Sequence, residues 1–522
     1  MLERIVENWL TSLNERQYQI PFCQLLQAEG DRVIYISPHG QLELGIDVLT
    51  LDASETPRAY QLKRGDISLA EWRKNEGEIV QLVEYDPSNP ALPPSTERNH
   101  QSFIVTNGTF SDPVLNAINQ RNTTWAPRGY GPLIPIAKDD LVSRFLRAHG
   151  HYFPVELEEV SRFLELYIEA GSAPLDKNKF SLFLAAVLPA AHTIEKRHAL
   201  QAASSIVLFT SYILKNKTLA DNHWAIFEAW IMAGAYIMTM GEEREDDWQF
   251  SLELCQKQAT NALAAMAREA AAHPHLTQGS PFSDGTIYHF RRTIMCGLLS
   301  AFYLVTENDE NFTKEREIAR DFFEKHGHKS QLWGESAVPM VFASLLALEN
   351  TGKQSLAEQI AGRMIYTICK ANGKGGDGLP NPYWGPERCL RRTLGLGRTE
   401  VESFNKFSYT LESLVGYLAR RWRRVMLRTL WEPITRIDFA RSSLVNESEW
   451  FRWQSKTAAL TTRPPNQPQS WRALREESEN LPIESVPRLL RKYRAFLIYF
   501  TLVYPHRFEP SMARAIEQAA WS

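Results

Sequence analysis

Residues Leu42–Lys63 read LELGIDVLTLDASETPRAYQLK, and the fold of the N-terminal part turns on them. Leu42 to Leu51 is an apolar run that carries the acid Asp47. Asp52 to Pro57 is polar and contains proline, as a hairpin loop would. Arg58 to Lys63 is a second strand-like run. Side chains of a strand alternate between its faces. Gln61 and Lys63 therefore share one face, and Tyr60 and Leu62 point into the layer on the other. If the two runs pair antiparallel through the loop, Asp47 lies beside Gln61. A carboxylate, an amide oxygen and an ammonium then meet at one edge of a sheet.

The flanking sequence extends this into an α/β domain over residues 1–155. Leu2, Ile5 and Trp9 have helical spacing, and Phe22, Leu25 and Leu26 mark a second helix. Gly30-Asp31 breaks the pattern before a strand at Arg32–Ile36, and Pro38-His39-Gly40 is a turn. Beyond Lys63, Ser68 and Glu71 form a capping box. Trp72, Ile79, Val80 and Val83 then fall on one helical face. Ser102–Thr106 is a buried strand, Asn107-Gly108 a turn, and Ser111-Asp112-Pro113 opens another helix. Strands and helices thus alternate around a small sheet.

From residue 156 strand signals nearly vanish. Long amphipathic segments predict a large all-α helical region, a bundle or a solenoid-like array, without a fixed repeat period. The Gly-rich break at Asn372–Gly378 divides it into residues 156–371, a sensor or oligomerisation module, and residues 372–522, a helical domain with basic and Trp-rich segments. A Pro-rich loop at Arg463–Pro468 interrupts the second part.

The 522 residues are 44% hydrophobic and 23% charged, ordinary for a globular chain. A net charge of −3 gives no global basic field, so any nucleic-acid site is local. Five scattered cysteines without a CxxC pair favour reduced thiols and a cytoplasmic location. Apolar runs such as Ile294–Val305 and Phe496–Tyr504 are shorter than a membrane span, and Trp224–Met240 carries Glu228. No signal peptide is read at the N-terminus and no membrane association is expected.

The cluster around Asp47 suits phosphodiester cleavage with a hard cation. Mg²⁺ (or Mn²⁺) takes oxygen ligands. Asp47 supplies the anionic one, and the Gln61 side chain and the Leu62 carbonyl supply neutral ones. Lys63 orients the attacking water or stabilises transition-state charge. A second acid would help hold the cation. Glu43 shares a strand face with Asp47, and Glu29 stands at the end of the second helix.

Gly45-Ile46-Asp47-Val48 followed by Gln61-Leu62-Lys63 resembles the PD-(D/E)xK nuclease superfamily, in particular its Mrr-like restriction-endonuclease branch. Phe22–Gly30 corresponds to the leading helix, and Phe103–Gly108 to the strand and turn after the core helix. The resemblance covers about the first 150 residues. It implies a restriction-endonuclease-like fold, with Asp47, Gln61 and Lys63 as catalytic positions. Where members often carry a leading-helix glutamate, this chain has Cys23 and Gln24, so Gln24 or Glu29 would substitute. The implied function is metal-dependent endonucleolytic cleavage of DNA, in prokaryotic restriction or antiphage defence. The alternatives are cleavage of RNA and a catalytically inactive nuclease-like scaffold that binds nucleic acid. A homo-oligomer is implied, with the helical region sensing a protein partner or a phage-derived trigger.

Arg420, Arg421, Arg423, Arg424 and Arg428, interleaved with Trp422 and Trp431, form a local basic cluster that could track a phosphate backbone. The GKGGDG run around Lys374 lacks the spacing of a phosphate loop and reads as a plain loop. The pairs His149/His151, His273/His275 and His326/His328 lie at expected helix ends or loops, without converging metal ligands.

Overall fold

Helix α1 (Glu15–Ala28) starts at Asn14 because two side chains there satisfy each other's free amides. The Asn14 side chain accepts the Gln17 N–H at 3.0 Å, and the Gln17 side chain accepts the Asn14 N–H at 3.0 Å. The computed structural model describes residues 6–7, 10–11, 13–37, 45–85, 100–152, 157–187, 196–276, 285–396, 405–442, 447–454, 460–465 and 470–521. Leu2, Ile5, Trp9, the Pro38-His39-Gly40 turn and Glu43 lie outside the described residues.

Five strands follow in a sheet whose spatial order matches the chain order: β1 (Arg32–Ile36), β2 (Val48–Leu51), β3 (Pro57–Lys63), β4 (Gln101–Thr106) and β5 (Leu133–Ile136). β2 runs antiparallel to both β1 and β3. β4 runs parallel to β3, and β5 parallel to β4. Parallel neighbours require a crossover, and helices α2 (Leu69–Glu84) and α3 (Asp112–Trp125) provide the two. The Ser68–Glu71 capping box forms as the sequence predicts. β5 carried no sequence signal: it is four residues long and contains Pro135.

One face of the sheet packs on α2 and α3. Leu49, Ala59, Ile104 and Leu133 meet Trp72, Ile79 and Leu82 of α2 and Val114, Ile118 and Trp125 of α3. α1 packs against the other face, where Phe22 meets the Tyr60 ring edge-on at 5.3 Å. Asn107 ties the end of the sheet to the N-terminal segment. Its side chain accepts the Gly65 N–H at 2.7 Å and donates to the Leu10 and Leu13 carbonyls at 2.8 Å each.

The chain is mostly helical, and it divides into two compact units that are both discontinuous in sequence. One comprises Met1–Ile168, Phe183–Lys215 and Glu243–Leu254; the other Glu169–Leu182, Asn216–Glu242 and Cys255–Ser522. Within the second, helix Gly285–Val305 packs on Thr313–His326 and Val338–Asn350, and Gln354–Ala371 packs on Val338–Asn350 and Leu411–Arg420. Two buried charges there are paired, which offsets the cost of burying them: Glu228 meets Lys177 at 2.6 Å and Lys217 meets Glu169 at 2.9 Å.

The expectation of an all-α region after residue 156 needs correction. Phe407–Ser408, Asp438–Ser442 and Leu460–Arg463 form a three-stranded sheet. These strands have two, five and four residues, with sequences FS, DFARS and LTTR. None offers the apolar alternation by which a strand is recognised. No helix among the described residues is long and apolar enough to cross a membrane. All five cysteines are buried and none is in a disulfide.

Candidate functional site

The β2–β3 register decides what Asp47 faces. Val48 pairs with Tyr60 and Leu49 with Ala59, and Asp47 is the residue immediately before this strand pair. The Asp47 N–H donates to the Tyr60 carbonyl at 2.8 Å. The Asp47 carboxylate accepts the Leu62 N–H at 2.6 Å, a charge-assisted bond across the strand pair. An antiparallel partner exchanges both its N–H and its C=O on one side. The Leu62 carbonyl is thus directed to the same side as its N–H, toward Asp47.

Gly45 brings this segment close to α2. Its φ is +73°, a left-handed value that favours glycine. A Cβ there would stand 2.4 Å from the Glu78 carbonyl oxygen. Glycine therefore permits both the turn into β2 and the close approach to α2.

Gln61 and Lys63 share the sheet face covered by α2, while Tyr60 stacks in the opposite layer with Phe103 at 4.7 Å. Both polar side chains converge on Glu78 of α2. The Gln61 Nε2 donates to Glu78 Oε2 at 2.9 Å, and the Lys63 ammonium donates to the same oxygen at 2.9 Å. Gln61 is 2% exposed, and its Oε1 is buried with no hydrogen-bond partner.

α1 closes the site from the other face. The Tyr18 hydroxyl donates to the Lys63 carbonyl at 2.7 Å, and the Gln19 amide donates to the Asp47 carbonyl at 3.2 Å. Glu15, in the first turn of α1, accepts the Arg64 N–H at 3.1 Å. Burial raises the Tyr18 hydroxyl well above its ordinary pKa, and the nearby carboxylates of Glu15 and Asp47 push it further in the same direction. Tyr18 thus lies within electrostatic reach of both acids.

Asp47, Gln61, Leu62 and Lys63 are brought together. Glu29 is not: its carboxylate is held by Arg144, with the Nε at 2.9 Å. It precedes Arg32, which pairs with Leu51 at the end of β2 remote from Asp47. Glu43 lies outside the described residues. Glu78, Glu15, Tyr18 and Gln19 were not read from the sequence. Glu78 had one usable signal. It precedes the buried Ile79 of the helix that must cover the Gln61–Lys63 face.

The arginine cluster is largely committed elsewhere. Arg420 grips Glu517 with two nitrogens, the Nε at 3.0 Å. Arg421 grips Glu349 with two nitrogens and lies over the Tyr417 ring at 3.5 Å. Arg423 pairs with Glu358 at 2.6 Å. Arg424 and Arg428 are exposed.

For a hard cation, the fitting observation is the orphaned Gln61 oxygen beside a carboxylate and a directed carbonyl. Among the described residues, no group of three or more His, Cys, Asp or Glu side chains is placed to hold a metal. Comparison with protein-family models, with curated proteins and with solved structures finds no match.

Proposed function

We propose that the N-terminal unit is a Mg²⁺- or Mn²⁺-dependent endonuclease acting on DNA. The observation that carries this is the buried, unpartnered Gln61 Oε1 on the residue next to Leu62, whose N–H binds the Asp47 carboxylate. An unsatisfied buried oxygen costs about 1–3 kcal/mol, and a cation that accepts oxygen ligands removes that cost. The element order supports the same reading. A leading helix, three antiparallel strands, a crossover helix and a parallel strand are what a restriction-endonuclease-like core requires; Asp47 immediately precedes the second strand and Gln61-x-Lys63 ends the third.

Asp47, the Gln61 side chain and the Leu62 carbonyl would hold the cation. When bound, it supplies Lewis-acid charge at the scissile phosphate. Lys63 holds a positive charge for the phosphate oxygens, and Glu78 fixes where that ammonium sits. Tyr18 and Gln19 anchor the backbone of Lys63 and Asp47, so the two strands cannot slide apart. Glu15, rather than Glu29, is the leading-helix acid on the Lys63 side. The restriction or antiphage setting rests on the family resemblance alone.

A second reading has its own support. Lys63 is already neutralised by Glu78, and the Asp47 carboxylate already binds the Leu62 amide. A retired nuclease fold serving as a scaffold would look the same. Plasmid nicking with Mg²⁺, Mn²⁺ or EDTA, with a parallel RNA digest, separates the readings. Nicking is expected to need the cation and to be lost in Asp47→Ala and Lys63→Ala. Mn²⁺ binding followed by electron paramagnetic resonance is expected to weaken in Gln61→Ala. Wild type that neither cuts nor binds Mn²⁺ establishes the scaffold reading.

A further inference from the structure

A cavity of about 500 Å³ opens in the second unit beside helices Gly285–Val305, Val338–Asn350 and Gln354–Ala371. That is within the usual range for small-molecule sites. Arg292, Lys329, Arg363, His289 and His328 line it, and among the described residues no Asp or Glu does. Leu332, Val341 and Met364 give it an apolar wall. His328, Lys329 and Arg363 are exposed at its mouth, while His289 and Arg292 are half-buried.

No carboxylate among the described residues balances the charge of this lining. Several other cations of the unit are matched by carboxylates: Arg420 by Glu517, Arg421 by Glu349, Lys177 by Glu228. Arg363 instead donates only to the Ser330 carbonyl, at 3.3 Å, and neither it nor Lys329 has a carboxylate partner among the described residues. Two imidazoles register the result. His328 is pulled below its ordinary pKa by burial and then by Lys329, Arg363 and Arg292. The adjoining His326 is pulled to about 4 by burial and then by Lys325, Arg292, Lys329 and His328. The Nδ1 of His289 is buried with no hydrogen-bond partner.

A solvated basic face would need neither a concave volume of this size nor an apolar wall. Three cations, an unpartnered imidazole nitrogen and an apolar wall together suit a ligand with a phosphate at one end and a flat apolar body at the other. We propose that this cavity binds a nucleotide-sized phosphate ester, with the phosphate against Arg292, Lys329 and Arg363 and the base against Leu332, Val341 and Met364. The proposal is independent of the nuclease reading.

The test is calorimetric titration of the full chain with AMP, with inorganic phosphate and with adenosine as the phosphate-free control. AMP is expected to bind at least tenfold more tightly than adenosine, and inorganic phosphate is expected to compete with it. Arg363→Glu and Lys329→Glu, both at exposed positions, are each expected to weaken AMP about tenfold or more while the circular dichroism spectrum is unchanged. Arg363→Lys is expected to retain binding. Absence of AMP binding at millimolar concentration overturns the proposal, as does binding that adenosine equals or that both charge reversals leave intact. A 5′-phosphorylated oligonucleotide that binds more tightly than AMP, and does so through Arg363, moves the phosphate onto nucleic acid and overturns the small-molecule assignment. Every readout is a binding equilibrium, so DNA cleavage can fail without affecting it.

Discussion

Replacing Gly45 by alanine tests whether the approach of β2 to α2 builds the Asp47 site. Two costs follow from the geometry. At φ +73° a Cβ costs roughly 1–2 kcal/mol in the left-handed conformation. That Cβ also lands 2.4 Å from the Glu78 carbonyl oxygen, where ordinary contact begins at 3.4 Å. Helix backbone must therefore withdraw by about 1 Å, and overpacking of this kind costs roughly 1–3 kcal/mol. The total is about 2–5 kcal/mol. Gly65 is the control, with φ +71° and nothing within 4 Å of its added Cβ. Gly65→Ala should meet only the conformational cost. Hydrogen exchange of the Val48–Lys63 amides reads the local free energy of this unit alone, at about 1.4 kcal/mol per tenfold change in rate. Gly65→Ala is expected to speed exchange by roughly fivefold to thirtyfold, and Gly45→Ala by a further factor of roughly 5 to 150. The Gly45 variant should also weaken Mn²⁺ binding, because Asp47 moves with the displaced strand. Equal acceleration by the two variants would refute the close-packing argument.

Three further outcomes follow from buried polar groups. Asn107→Ala leaves the Gly65 amide and the Leu10 and Leu13 carbonyls unsatisfied; a loss of about 2–4 kcal/mol is expected by the same exchange measurement. Arg421→Met leaves Glu349 buried without its cation, so the denaturant midpoint of the second unit should fall by the equivalent of about 3–5 kcal/mol. The double variant with Glu349→Met should recover much of that loss. Glu335 accepts the Tyr409 and Thr410 amides at 2.7 and 3.0 Å, yet burial pushes its carboxyl up to about 7. The folded chain then keeps a proton that the unfolded chain releases above its ordinary value of 4.5. This stabilisation is full below about pH 4.5 and is lost as pH rises through 7, by up to roughly 3 kcal/mol. Glu335→Gln should flatten the melting temperature across that window.

What was legible in the sequence follows from where the signals are local. The Ser68–Glu71 box, the strands Arg32–Ile36 and Arg58–Lys63, and the shared face of Gln61 and Lys63 depend on neighbours within a few residues. The placement of Asp47 beside the Arg58–Lys63 strand needed only the hairpin register. Glu78 and Glu15 reach the site from helices, and their partners are 15 and 49 residues away in the chain. No spacing rule within one element could pair them. The basic cluster misled in the same way. Arg420 and Arg421 look like a surface stripe in sequence, but Glu517 and Glu349 stand 97 and 72 residues distant. The C-terminal sheet was hidden for another reason: its strands, FS, DFARS and LTTR, carry no apolar alternation to read.

Glu78 also explains why position 61 is glutamine. An amide presents a donor at one end and an acceptor at the other. With its Nε2 fixed on Glu78, the Gln61 oxygen must point away from that carboxylate, and flipping the amide would set oxygen against oxygen. The orientation of the orphaned Oε1 is therefore imposed by α2. A glutamate at 61 would place a second carboxylate against Glu78 with Lys63 as their shared cation, and like charges at that separation disfavour each other's ionisation. Glutamine would keep an oxygen for the proposed cation while avoiding the repulsion. If the proposed cation binds here, the neutral residue is the form of ligand compatible with an acid on α2, and glutamine at 61 does not by itself argue against the proposed site.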